Sequence, residues 1–148
     1  MIEIRVDITT RSKSNARPGH WSQRSGPTKA ERIATRVALL AAGVMHSPPA
    51  LPVTVTFVRV SPRPLDDDNV RGAIKAVRDE VADWLGLPND RDVRCRWLYE
   101  QRRGGKVECA VLVRVRRGQW DCACCGQALG APPDPLSASE LAAIEDVF

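Results

Sequence analysis

No apolar run in this chain approaches the ~20 residues that a membrane-spanning helix requires, and its N-terminus has no apolar core of the kind a secretory signal carries. Those two absences predict a cytoplasmic protein with no membrane partner, whose five cysteines stay reduced. No internal repeat is visible, which sets repeat architectures aside. Lys and Arg are missing altogether from the last thirty residues, and no second Cys-x-x-Cys follows the one at 122–125. What remains is 148 residues, 43% hydrophobic, enough for one core plus a small appendage. The expected division is a domain over residues 1–118 and a tail over 119–148.

Charge is uneven. Residues 1–64 carry ten Lys or Arg against three acids, net +7, and residues 101–118 carry six against one, net +5. Between them residues 65–100 carry six against nine, net −3, while the tail has five acids and no base. A basic frame around an acidic centre suits a gripped polyanion; a solvated surface of mixed sign is the plain alternative.

Periodicity gives the elements. Ile2, Ile4, Val6 and Ile8 alternate with polar residues as a half-buried strand. Residues 10–27 read as a polar, basic loop, and a helix runs from Pro27 or Thr28 to Ala42, with Ala30, Ile33, Ala34, Val37, Leu40 and Ala41 inward. Lys29, Arg32 and Arg36 then face outward, and Gly43 ends the helix. A second strand starts at Val53, both of its faces partly covered. Val93 to Glu100 alternate as a third strand, residues 101–106 form a basic hairpin turn, and Val107 to Val115 make the fourth. The expected fold class is α+β (mixed α/β), in the order β-α-β-α-β-β, a four-stranded sheet with two main helices on one face.

The most informative stretch is residues 64–92. Val70, Ile74, Val77, Val81 and Leu85 recur at helical spacing, widened by Ala73 and Trp84, and Gly86 and Pro88 stop the helix. Asp66, Asp67 and Asp68 precede or open it, with Asp67 or Asp68 as N-cap. Adjacent carboxylates repel unless a cation sits among them, and hard divalent cations take such oxygen ligands. Asp66 and Asp68, two apart in an extended segment, point to one side; Asp90 and Asp92 open the next strand and could be carried back to them. The bland reading is a solvated acidic cap favoured by the helix dipole.

Asp66-Asp67-Asp68-Asn69, then Ile74-Lys75-Ala76-Val77-Arg78-Asp79, then Asn89-Asp90 resembles the motif of the RusA-type Holliday-junction resolvases and the wider RusA-like endonuclease family, over roughly residues 1–116. The resemblance implies a Mg²⁺-dependent endodeoxyribonuclease, with Mn²⁺ as the other candidate ion, acting on branched DNA as a homodimer. It implies Asp66, Asp68 and Asp90 as metal ligands, Lys75 as the catalytic cation and Asn69 as an orienting group. The spacing departs from the family pattern, because Lys75 lies seven residues after Asp68, roughly 5 Å further along the helix than expected. Arg71 is the other candidate for its role, and Asp92 the substitute for a late acid that here reads Asn89.

DNA contacts are expected from Arg11, Lys13, Asn15, Arg17, His20 and Arg24 in the long loop, from Arg71, and from Arg102, Arg103 and Lys106 in the turn. Trp21 either stacks on an exposed base or pins the loop to the core. In the tail, Cys122 and Cys125 have the spacing of one zinc knuckle but lack two of the four ligands a structural Zn²⁺ needs, so a metal-free pair is the alternative. Residues 131–135 read as a stiff linker and 137–148 as a short acidic helix opened by a capping box. Two other functions compete: a non-catalytic DNA-binding accessory protein, and a nuclease for flaps or forks.

Overall fold

Apolar alternation becomes burial in the sheet. A computed structural model describes the backbone of residues 1–10, 21–118, 120–121 and 128–129, and the side chains of 1–10 and 28–118. Its elements are β1 (Ile2–Val6), α1 (Trp21–Ala41), β2 (Val53–Ser61), α2 (Asp67–Ala73), α3 (Lys75–Trp84), β3 (Cys95–Arg103), β4 (Ala110–Arg117) and the two-residue strands β5 (Trp120–Asp121) and β6 (Ala128–Leu129). The result is the expected mixed class, a four-stranded sheet with its helices on one face and a separate β5–β6 ribbon.

The strand order, β1-β4-β2-β3, corrects the expected hairpin. β3 runs parallel to β2, Val53 opposite Cys95 and Ser61 opposite Arg103, while β4 pairs antiparallel with both β2 and β1. β3 and β4 therefore flank β2 and do not pair with each other. The burial pattern explains why. β2 hides Val53, Val55 and Phe57 on one face and Val58 and Val60 on the other, and a strand covered on both faces belongs in the middle. β3, with its last four residues exposed, takes an edge. The strand also runs on to Arg103 and β4 starts at Ala110, so the turn shifts from 101–106 to 104–109, and Val107 is exposed in it rather than opening β4. Val93, likewise, is exposed ahead of β3. Gly104 crosses the end of β2, its N–H donating to Ser61 O (3.1 Å). A Cβ there would stand 2.9 Å from Glu108 O and 3.0 Å from Val60 Cγ1.

The helix stripe from Val70 to Leu85 is buried at each expected position. It is broken once, at Ile74, which caps α2 and precedes α3 with φ −97° and ψ −1°. Gly86, at φ +67°, closes the far end: its N–H reaches Asp83 O and that of Leu87 reaches Ala82 O, the paired bonds of a Schellman stop. Gly43 ends α1 in the same way.

Helix α1 differs from expectation twice. It begins at Trp21, seven residues into the expected loop, and carries Pro27 inside it despite the missing N–H. It is also turned about its axis. Thr35 and Leu39 are buried with Ala34 and Ala38 packed beside them, whereas Ile33, Val37 and Leu40 are 64%, 57% and 49% exposed. Glu80 sets this rotation. Its carboxylate is buried on α3 and needs partners. Arg32 Nε donates to Oε2 (2.9 Å) and Arg36 Nε to Oε1 (2.6 Å), and Arg32 also reaches Asp83. The two arginines expected in solvent thus face the neighbouring helix. Trp84 Nε1 adds a bond to Val44 O (3.0 Å).

Candidate functional site

The loop after β2 delivers the acidic run. Gln101 on β3 clamps it by two bonds, its Nε2 donating to Leu65 O (2.7 Å) and its Oε1 accepting from Leu65 N (2.9 Å). Asp66 follows in extended conformation as the N-cap of α2, but its side chain makes no capping bond. This corrects the assignment of the cap to Asp67 or Asp68, both of which lie in the first turn. It also removes the alternation argument for Asp66 and Asp68, because successive helical residues point roughly 100° apart. All three aspartates are exposed, and no hydrogen bond or ion pair engages their side chains among the described residues. The N–H groups at the helix start favour their charge.

Asp92 does not come back to them. Parallel pairing puts Asp92, just before Cys95, at the opposite end of the sheet from Asp66, just after Ser61, and nine strand residues span roughly 30 Å. Asp92 is consumed locally. Its Oδ1 accepts from Arg94 N (2.9 Å) and Nε (3.0 Å) and its Oδ2 from Nη2 (2.6 Å). The Arg94 side chain and backbone hold its carboxyl below the ordinary range, against the opposing effect of burial. Asp90 Oδ2 pairs with Arg78 Nη2 at 2.5 Å, and its carbonyl accepts from Trp97 Nε1 (2.7 Å). Arg78 reaches mid-strand through Nη1, which donates to Tyr99 Oη (3.0 Å). Burial opposes its charge, and the Tyr99 bond with the Asp90 and Asp79 carboxylates more than compensates, so its pKa lies above the usual value. Arg78 Nε is buried without an acceptor among the described residues. Among the described residues, no three Asp, Glu, His or Cys side chains gather closely enough to share a metal ion.

Lys75 is likewise engaged away from the run, donating to both oxygens of Asp79 (3.0 and 2.9 Å), one turn on. Arg71 is better placed. It lies over the Tyr99 ring, 5.5 Å from the centroid, and shares with Asp67, Val70, Trp97, Tyr99 and Gln101 the lining of a cavity of about 290 Å³. Trp97 and Tyr99 are both stacked on buried Phe57 at 5.7 Å, which makes this wall rigid. Asn69 is half-buried beside the run. Arg102 and Arg103 are exposed at the end of β3, and Lys106 in the turn.

Several groups escaped the sequence reading. Arg59 points inward from β2 although it continues the apolar series Val53, Val55, Phe57; that series was the available signal. Glu80 could be located only by its tertiary contacts. The buried Cys95 thiol is pushed up to about 12, by burial first and by Asp92 second. Arg11, Lys13, Asn15, Arg17, His20, Cys122 and Cys125 lie outside the described residues, as do the linker and the final helix of the tail. Trp21 and Arg24 fall in the first turns of α1 as backbone only. The β5–β6 pair brackets residues 122–127. No protein-family model matches this chain, and no curated protein matches it.

Proposed function

We propose that this protein is a divalent-metal-dependent endodeoxyribonuclease that cleaves branched DNA, the four-way Holliday junction before others, in recombination and repair. The observation that carries this reading is the run Asp66-Asp67-Asp68: three exposed carboxylates at one helix start, none spent on a cap or an ion pair among the described residues. Carboxylate oxygens of this kind are the ligands that a hard cation, Mg²⁺ or Mn²⁺, takes. When bound, the ion supplies Lewis-acid stabilisation of the phosphoryl oxygens and a more acidic water. Asp66 and Asp68 would hold it, and Asp90 would join them only on leaving Arg78. Arg71, on the same wall as Asp67, takes the charge-neutralising role that Lys75 has in the resemblance. Asn69 orients the helix start. Arg102, Arg103 and Lys106 grip phosphates without reading sequence.

A homodimer suits a two-fold substrate. The stripe Ala30, Ile33, Val37 and Leu40, spaced alternately by three and four and turned outward on α1, supports a second copy packing there. The protein acts in the cytoplasm. Zn²⁺ at Cys122 and Cys125 is a separate, structural expectation.

A second reading, a DNA-binding accessory protein, is favoured by the pairing of Asp90 with Arg78 and of Lys75 with Asp79. Labelled four-way junctions, flaps, forks and linear duplexes separate the readings when incubated with Mg²⁺ or chelator. Paired symmetric nicks confined to the junction and lost in Asp68→Asn are expected. Nicks confined to flaps or forks would change the substrate, and tight binding without any nick would leave the accessory protein.

A further inference from the structure

We propose that the pocket at the C-terminal ends of β2 and β3 binds a phosphate group, with Arg59 innermost and Arg63, Arg102 and Arg103 around it. The pocket is open, about 430 Å³, and no acidic residue lines it. Arg59 is the reason to read it as a site. The residue is 5% exposed. Nε donates to Thr10 Oγ1 (2.8 Å), Nη1 to Arg63 O (2.8 Å) and Gln101 Oε1 (3.4 Å), and Nη2 to Ser61 Oγ (3.0 Å). These acceptors are all neutral, and a guanidinium has five N–H groups, so they account for four. No carboxylate pairs with Arg59 among the described residues, and residues 11–27, which follow Thr10, contain no acid in their sequence.

The contrast lies within the same molecule. Arg78 and Arg32, less buried than Arg59, each have a carboxylate. Burying a charge is costly unless it is paired. Desolvation accordingly lowers the Arg59 pKa from its usual value. The neutral acceptors fix the guanidinium plane, while its charge and one N–H are left for a ligand. Three further arginines bring the local charge to about +4 with no counter-ion in the lining, and the planar guanidinium fork matches the oxygens of a phosphate. The volume falls within the range of small-ligand sites, enough for a phosphate with its adjoining sugar.

Position gives the ligand its source. Gln101 lines this pocket and also the one that Asp67 lines, and it clamps the loop before Asp66. A backbone phosphate held here therefore belongs to a nucleotide flanking the one presented to the acidic run. That choice of source rests on the nuclease reading, whereas the oxyanion chemistry of the pocket does not.

The test is titration of the full-length protein with inorganic phosphate and, separately, with a short single-stranded DNA, following the Arg59 Nε–H resonance. A shift with the DNA that is absent for its uncharged methylphosphonate analogue, together with at least tenfold weaker binding in Arg63→Gln/Arg102→Gln/Arg103→Gln, is expected. A shift with inorganic phosphate alone supports the pocket but assigns it to a free oxyanion. No shift with either probe, or unchanged binding by the triple variant, overturns the proposal. Failure of the wild-type protein to nick a junction while these shifts are seen would count against the nuclease reading alone.

Discussion

Glu80 joins two helices through its charge. The carboxylate is almost fully buried, while Arg32 and Arg36 keep 38% and 56% of their side chains in solvent, so the partners are not equivalent. Removing both arginines strands an ion, and Arg32→Met/Arg36→Met should lose about 3–5 kcal/mol in denaturant unfolding. Glu80→Gln, which keeps acceptor and donor atoms and frees two arginines that can reach water, should cost distinctly less. Equal losses in the two variants would show that the joint depends on shape and not on charge. Asp92 provides a pH-dependent contribution. Its folded pKa is depressed by Arg94, so the stability it adds is complete well above the unfolded carboxyl value of ~3.9 and disappears as the pH falls through the folded value. The melting-temperature gap between wild type and Asp92→Asn should therefore be widest near neutral pH and close in acid; a gap that persists in acid would refute the assignment.

At the scale of elements, local periodicity and long-range pairing contributed differently. The stripe Val70, Ile74, Val77, Val81, Leu85 was legible because one helix face meets one core, and the alternation of Ile2, Ile4 and Val6 because one sheet face does. The rotation of α1 was not legible. Ala34 fits the buried side under either reading, and the choice between Leu39 and Leu40 depends on Glu80, 44 residues beyond Arg36. Strand order was hidden for the same reason: a basic Gly-Gly turn suggests a hairpin, and only the double-sided burial of β2 places that strand between β3 and β4. Gly104 marks the crossing. Gly104→Ala pushes a methyl into Glu108 O and Val60, and should lower stability by about 1–3 kcal/mol in chemical unfolding. An unchanged midpoint would mean that the turn yields freely. On α1, Val37→Glu should convert a homodimer to a monomer in sedimentation while changing monomer stability by no more than about 0.5 kcal/mol, since the site is already exposed. A wild-type protein that sediments as a monomer would remove the second copy from the account.

For the whole molecule, the parallel β2–β3 pair and its helical crossover place an acidic helix start and an arginine-lined pocket at the same end of the sheet, where open sheets commonly receive ligands. The acidic run was visible in the sequence as three consecutive aspartates. Its lack of side-chain partners among the described residues was not, nor was the distance that parallel pairing sets between it and Asp92. The account therefore depends on whether Asp66, Asp67 and Asp68 take up a divalent ion. Titrating the full-length protein with Mn²⁺ and recording which backbone amide signals broaden tests this most directly. Broadening centred on residues 66–69 and abolished in Asp66→Asn/Asp68→Asn is the predicted result. Sharp signals there at high Mn²⁺, or broadening that survives the double substitution, would contradict the metal-dependent reading and make the run a solvated helix start.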